Sequence, residues 1–218
     1  MGYYMAGEGR RLSGETIPSE LPNKDMKSVR VPIGVFGLIT PWNFPIAIPS
    51  WKIFPALVCG NTVVFKPSSE TSVCAAKFVE VLVEAGLPKG VLNLVQGPGG
   101  EVGEYLVGHP AVDAISFTGS TDIGRRLEGI CGSIHRRLGP EMGGKNAILV
   151  MDDANLDLAV DGAIWGGFGT TGQRCTATSR VVIHKKVYQK FTEQFKTAAS
   201  RLKLGDGLKK ETDVGPVI

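Results

Sequence analysis

Four side chains in this sequence have types and settings from which covalent chemistry could be built. Cys175 stands in a polar stretch rich in Gly and Thr, Gly169-Thr170-Thr171-Gly172-Gln173-Arg174. A free cysteine has a pKa of about 8.5, so only a few per cent is thiolate at neutral pH, and a nucleophilic role needs help from a neighbour. Arg174, next in sequence, is one source of it. Glu141 precedes Met142-Gly143-Gly144-Lys145-Asn146. A carboxylate at a strand end beside an apolar residue is suited to act as a base, with a solvated turn residue as the alternative. Asn43 lies between Trp42 and Phe44-Pro45, where a rigid turn would hold its amide as a fixed dipole or simply use it as a turn residue. Lys66 closes an apolar run just before Pro67-Ser68-Ser69, placed either to meet an anion or hydroxyls or to snorkel to the surface. The other cysteines, 59, 74 and 131, fall in apolar surroundings and read as small core residues. The three histidines, 109, 135 and 184, are scattered without acids at ligand spacing, so no metal site and no Ser-His-Asp array is expected.

The elements that must position these groups alternate in type. Short apolar runs read as strands: Val35 to Ile39, Thr62 to Phe65, Val91 to Val95, Ala114 to Phe117, Ala147 to Val150 and Val181 to Ile183. Between them, helical spacing appears over Thr71 to Glu84, Glu101 to Val107, Asp122 to Cys131 and Leu156 to Phe168, with a last amphipathic helix from Tyr188 to Leu202. Strands alternating with helices predict βαβ units and an α/β fold with a mostly parallel sheet, which binds ligands beyond the carboxyl ends of its strands. The turns that leave those ends are Thr40-Pro41-Trp42-Asn43, Lys66-Pro67-Ser68-Ser69, Gln96-Gly97-Pro98-Gly99 and Thr118-Gly119-Ser120-Thr121. Gly97-x-Gly99 lacks the third glycine of a dinucleotide fingerprint, since Gly103 falls one residue late. The turn at Thr118 opens a helix with hydroxyls, and phosphate binding and simple capping are equally open readings of it.

Composition narrows the class. The 218 residues suffice for one large domain or a domain and a half. With 24 basic against 21 acidic residues and no basic block, the chain offers no electrostatic platform for nucleic acid or a membrane surface. No apolar run reaches the ~18 residues of a membrane span; Ile46 to Val58 is interrupted by Lys52 and two prolines. Four cysteines without CxxC spacing point to a reducing, cytoplasmic setting.

Taken together, Pro41-Trp42-Asn43-Phe44-Pro45, Lys66-Pro67-Ser68, Phe117-Thr118-Gly119-Ser120, Glu141-Met142-Gly143-Gly144-Lys145-Asn146 and Gly172-Gln173-Arg174-Cys175 resemble the motifs of the NAD(P)-dependent aldehyde dehydrogenase superfamily, in its order. The resemblance implies a Rossmann-like parallel-sheet cofactor domain over residues 31–144 and the first part of an α/β catalytic domain over 145–218. They are preceded by a polar arm, 1–30, that contains part of an oligomerisation hairpin. It implies oxidation of an aldehyde to the acid through a thiohemiacetal and a thioester on Cys175. By the same resemblance, Asn43 and the Cys175 backbone N–H would form the oxyanion hole, and Glu141 would be the base for hydrolysis. NAD or NADP would lie against Thr40, Pro41, Trp42, Lys66, Ser68, Ser69, Gly99, Phe117, Thr118, Gly119, Ser120, Met142 and Gly143, with Lys66 at the adenosine ribose and Ser120 at the pyrophosphate. The parent would be a homodimer or homotetramer acting on a small aldehyde. The arm from Gly9 to Pro22 is most similar to the branch that acts on semialdehydes, of the 2-oxoglutarate or succinate type.

Three departures stand out. NAD-preferring members often carry a glutamate three residues beyond the lysine; here that position is Ser69, which removes a repulsion against the 2′-phosphate of NADP. Pro140 replaces a more usual apolar residue before Glu141. Family members run to about twice this length, so the chain reads as a central fragment, expected to be inactive alone. Two other readings compete. A CoA-acylating relative would usually lack the glutamate at position 141, and a catalytically silent nucleotide-binding fragment would keep the residues without turnover.

Overall fold

A computed structural model describes residues 1–218, which separate into two compact units, Met1–Met142 and Gly143–Ile218. The first is built on a five-stranded parallel sheet: β3 (Val35–Ile39), β4 (Thr62–Lys66), β5 (Leu92–Leu94), β6 (Ala114–Thr118) and β7 (Arg137–Glu141), ordered β5-β4-β3-β6-β7. The parallel α/β architecture expected from the alternating pattern is present. The chain winds outward from β3 in one direction, then returns to add β6 and β7 on its other side. Strand order therefore reverses between β3 and β6, and a crevice must open there at the carboxyl ends.

Helices α2 (Ala47–Val58), α3 (Ser72–Glu84), α4 (Glu104–Gly108) and α5 (Thr121–Ser133) connect the strands. The sheet is buried on both faces, as parallel sheets are. One core gathers Leu38, Ile53, Val63, Phe65, Ala75 and Leu92; the other gathers Leu106, Val107, Ile115, Phe117, Leu127 and Cys131. Phe65 is fully buried, so Phe65→Ala is expected to cost about 3–5 kcal/mol, read as a lowered urea midpoint.

Helix α2 runs through the stretch whose two prolines interrupt the apolar pattern. Pro49 falls in its first turn, where no N–H is needed. Pro55 does break the ladder, yet burial of Ile48, Ile53 and Ala56 against the sheet outweighs the lost bond. Buried Asn61 then fastens the end of this helix to the sheet. Its Nδ2 donates to the Ala56 carbonyl at 3.0 Å, and its Oδ1 accepts from the N–H groups of Ile33 and Gly34 at 2.7 and 3.0 Å. Strand β7 escaped the apolar pattern because it reads Arg-Leu-Gly-Pro-Glu. As the sheet's edge strand it accommodates Pro140, which needs a donor only on an unpaired side. The predicted helix from Glu101 is split: a wide turn over Gly99–Gly103 leads into the short α4.

The polar arm also has structure. Helix α1 (Gly2–Gly9) packs on α2, with Gly2 near Phe54 and Gly9 against Val58, and β1 (Thr16–Pro18) pairs with β2 (Asp25–Lys27) as an antiparallel hairpin with every residue exposed.

In the second unit, β8 (Asn146–Val150) and β9 (Thr178–Ile183) pair in parallel across α6 (Leu156–Phe168), and α7 (Tyr188–Ser200) packs on α6. Val150, Val160, Ala163 and Phe191 form the core, with Phe191 and Phe195 stacked at 6.0 Å. Asn155 caps α6, its Oδ1 accepting from the N–H groups of Asp157 and Leu158.

Candidate functional site

The crevice that the strand order demands is occupied by a cavity of about 340 Å³ in the first unit. Thr40 and Pro41 enter it from the end of β3, Lys66, Ser68 and Ser69 from the end of β4, and Thr118, Gly119 and Ser120 from the end of β6. Gly99 and Phe117 complete the set of expected cofactor residues that share it. Three expected contacts lie elsewhere. Trp42 is half-buried in the loop after β3, Met142 packs against Gly124 of α5, and Gly143 is an exposed residue of the second unit.

Lys66 is the most unusual group in the cavity. It is 3% exposed, and the one hydrogen bond made by its ammonium goes to the adjacent Pro67 carbonyl, at 2.8 Å. Burial lowers its pKa, and no carboxylate offsets that. A buried lysine with donors to spare, opening on a cavity, is suited to meet an anion or hydroxyls and does not snorkel to the surface. Thr40 has the same character: 3% exposed, its hydroxyl buried without a partner. The spare donors of Lys66 and the unpartnered Thr40 hydroxyl fit a polyhydroxylated, phosphorylated ligand such as a dinucleotide. The glycines fit it too. A side chain at Gly119 would strike the Phe117 ring, whereas Gly99 and Gly100 leave open space for a ligand. Ser120 accepts from the Ile123 N–H at 3.4 Å, so it caps α5 while its own proton stays available at the cavity.

Glu141 is the last residue of β7, paired in register with Thr118. It is exposed, so the desolvation expected from Met142 is not met in this structure. It has a neighbour that the sequence did not flag. Lys52, on α2, donates to the Ser116 hydroxyl at 2.7 Å and to the Phe117 carbonyl at 3.3 Å. Burial pulls its pKa down to about 8, and the charge of Glu141 opposes the shift. The ammonium is thus held on the β6 strand end by two hydrogen bonds and lies within the field of the Glu141 carboxylate. Asn43 lies half-buried in the loop between β3 and α2.

The second unit presents Cys175 exposed, in the segment between α6 and β9. Thr170, Thr171 and Gly172 all adopt left-handed φ, at 55°, 56° and 69°. For β-branched threonines this is a strained choice of the kind that clusters at functional sites. Gly172 has no alternative, because a Cβ there would come within 2.7 Å of the Gly167 carbonyl. Asn146, at the start of β8, donates from Nδ2 to the carbonyls of Cys175 at 2.6 Å and Ala177 at 3.1 Å and so fixes the backbone of the segment. That role was not legible beforehand. Arg174 does not lend its charge as its sequence position suggests. Its guanidinium lies over the Trp165 ring at 4.9 Å and donates to the Trp165 carbonyl at 2.7 Å. The expectation that the other three cysteines are core residues holds for Cys131 alone; Cys59, at the end of α2, and Cys74, on the outer side of α3, are exposed. Residues 75, 78, 79 and 82 carry the buried stripe of α3, which leaves Cys74 outside it. No group of His, Cys, Asp or Glu is arranged to hold a metal ion.

Comparison with known proteins shows the family. The chain is 48% identical over 214 residues to alpha-ketoglutaric semialdehyde dehydrogenase of Bacillus subtilis, and 49% identical over 210 residues to 2,5-dioxopentanoate dehydrogenase of Saccharolobus solfataricus. The alignments cover 98% and 95% of this chain but 44% of each relative, so the chain spans under half their length. Among solved structures, betaine aldehyde dehydrogenase from Staphylococcus aureus, in complex with NAD+, superposes with a TM-score of 0.96 at 40% identity over 98% of this chain and 42% of that one. The sequence profile of the aldehyde dehydrogenase family matches residues 1–218. The chain belongs to the aldehyde dehydrogenase family.

Proposed function

We propose that this protein oxidises an aldehyde, and specifically a semialdehyde of an oxo- or dicarboxylic acid, to the carboxylic acid with NAD(P)+. The observation that carries the cofactor half of this reading is the buried Lys66 ammonium, with one hydrogen bond, opening on the cavity at the sheet's switch point. Lys66 and Thr40 would meet the adenosine ribose and its neighbouring groups, and the hydroxyl and helix N-terminus at Ser120 the pyrophosphate. We read residues 31–144 as the cofactor domain, 145–218 as the first part of the catalytic domain, and the exposed hairpin of the arm as an oligomer contact of a homodimer or homotetramer. Four free cysteines fit a cytoplasmic setting, and no helix is long and apolar enough to cross a membrane.

In this reading the Cys175 sulfur adds to the aldehyde carbon. The Cys175 N–H is one donor to the resulting oxyanion, and the family resemblance assigns the Asn43 amide as the other. When bound, the nicotinamide supplies the acceptor for the hydride that leaves that carbon. A thioester remains on Cys175; Glu141 takes a proton from water, the water oxygen attacks the carbonyl, and the acid leaves as the thiolate returns. Glu141, exposed at the end of β7, returns that proton to solvent before the next turnover. The semialdehyde preference rests on the two relatives above, whose names describe one five-carbon oxo-acid aldehyde.

Lys66→Gln tests the cofactor reading. Loss of a charge-assisted contact is expected to weaken NAD(P)+ binding by roughly 10- to 100-fold. Titration calorimetry reads this directly, and unchanged affinity would refute the assignment of the cavity.

A further inference from the structure

Four charged residues line the nucleotide cavity: Lys66, Glu70, Glu104 and Arg126. Two of them are tied together. Arg126 of α5 donates to the carboxylate of Glu104 at 2.9 Å, joining α5 to the first residue of α4 across the cavity wall. This pair lines the same cavity as Lys66. Gly103, the residue before Glu104, is in ordinary contact range of the lysine: a Cβ there would lie 3.6 Å from its Cδ and 3.7 Å from its Cε. Ser69, at the end of β4, lines the same cavity with a neutral hydroxyl that donates to the Gly97 carbonyl at 3.4 Å.

The arrangement leaves the choice between a ribose hydroxyl and a ribose phosphate to charges other than residue 69. From these placements, and resting on the reading that Lys66 meets the adenosine ribose, we propose that the Glu104–Arg126 pair sets the discrimination between NAD and NADP. Glu104 supplies the negative charge that opposes a 2′-phosphate. Arg126 neutralises part of that charge, and once released from Glu104 it becomes a ligand for the phosphate. Both side chains are substantially solvated, with relative exposures of 61% for Arg126 and 32% for Glu104. Pairs of this kind add little to stability, so either partner can be replaced without unfolding the chain. Their effect on a dianion bound in the same cavity is larger, because the ligand's charge is brought within a Debye length of both.

Two ligands that differ only in the 2′-phosphate isolate the effect: 5′-AMP and adenosine 2′,5′-bisphosphate, titrated calorimetrically into the 218-residue chain with circular dichroism as the check on folding. Glu104→Gln is expected to shift the affinity ratio toward the bisphosphate by roughly tenfold, and Arg126→Gln to shift it the opposite way by a similar factor. In both variants 5′-AMP affinity should move by less than about twofold. The shifts should shrink as salt is raised. A ratio that stays at the wild-type value in Glu104→Gln overturns the proposal. If the wild-type chain binds neither nucleotide, the cofactor reading of the cavity fails first, and this inference falls with it.

Discussion

In a family-length protein that carries this segment, replacing Cys175 with Ala is expected to abolish NAD(P)H formation from aldehyde, a loss on the order of 10⁴-fold or more, as for other enzymes that lose their nucleophile. The prediction is sharp because the side chain has no structural duty. Cys175 is exposed, and its segment is held by groups other than its sulfur: the Asn146 amide on its carbonyl and the left-handed turn ending at Gly172. The variant should therefore fold as the parent does and bind nucleotide in the first unit with unchanged affinity. Cys59→Ala and Cys74→Ala are the matched controls, being equally exposed thiols. They should leave the rate unaltered in a spectrophotometric assay at 340 nm, a wavelength set by the reduced nicotinamide. Retention of turnover in Cys175→Ala would remove the nucleophile from the account.

The second large effect is expected at Glu141. Glu141→Gln keeps the size of the side chain and removes the base, so hydrolysis of the thioester should slow by about 10²- to 10⁴-fold. In the proposed mechanism the oxidation step comes before hydrolysis and does not need that base. The variant should consequently release a burst of NAD(P)H close to one per site and then stall, with the acyl group held on Cys175. The position tolerates the change, because Glu141 is exposed at the end of an edge strand and its ladder contacts are made by the backbone. Stopped-flow absorbance gives the burst amplitude. A variant that loses the burst together with the steady state would place Glu141 in the first half-reaction instead. A thiol nucleophile followed by a carboxylate base is the division of labour expected when the difficult step is release of an acyl group from sulfur.

Much of this was legible in the sequence where burial imposes a pattern. The strands of the first sheet are buried on both faces and write themselves as apolar runs, as at Val35–Ile39 and Ala114–Thr118. Where burial is partial or absent, the pattern fails. Strand β7 has one neighbour and carries Gly139 and Pro140, so nothing in its composition announces a strand. Helix α1 and the hairpin of the arm bury no residue fully, and α2 hides behind its prolines. The cavity followed the same division. Residues in the turns after strands, such as Lys66 and Ser120, were identifiable because parallel topology sends those turns to one edge. Residues that reach the site from helices were not. Glu104 and Arg126 look like ordinary solvated charges in sequence, and only the packing of α4 and α5 shows what they face. Side-chain direction misled in a similar way at Arg174, which turns to Trp165, and at Cys74, which leaves the buried stripe of its helix.

The proposed function makes Cys175 the nucleophile, and its rate of alkylation tests that most directly. Cys59, Cys74 and Cys175 are all exposed and unpaired, so access alone predicts similar reactivity toward iodoacetamide, with buried Cys131 slowest. A thiol poised as a nucleophile should react faster than its exposed neighbours by roughly tenfold or more, since attack proceeds through the thiolate. Time-resolved peptide mapping of the native chain under limiting reagent separates the four sites. The account predicts that the Cys175 peptide is labelled first and well ahead of the others; labelling of Cys175 at the pace of Cys59 and Cys74 would contradict it.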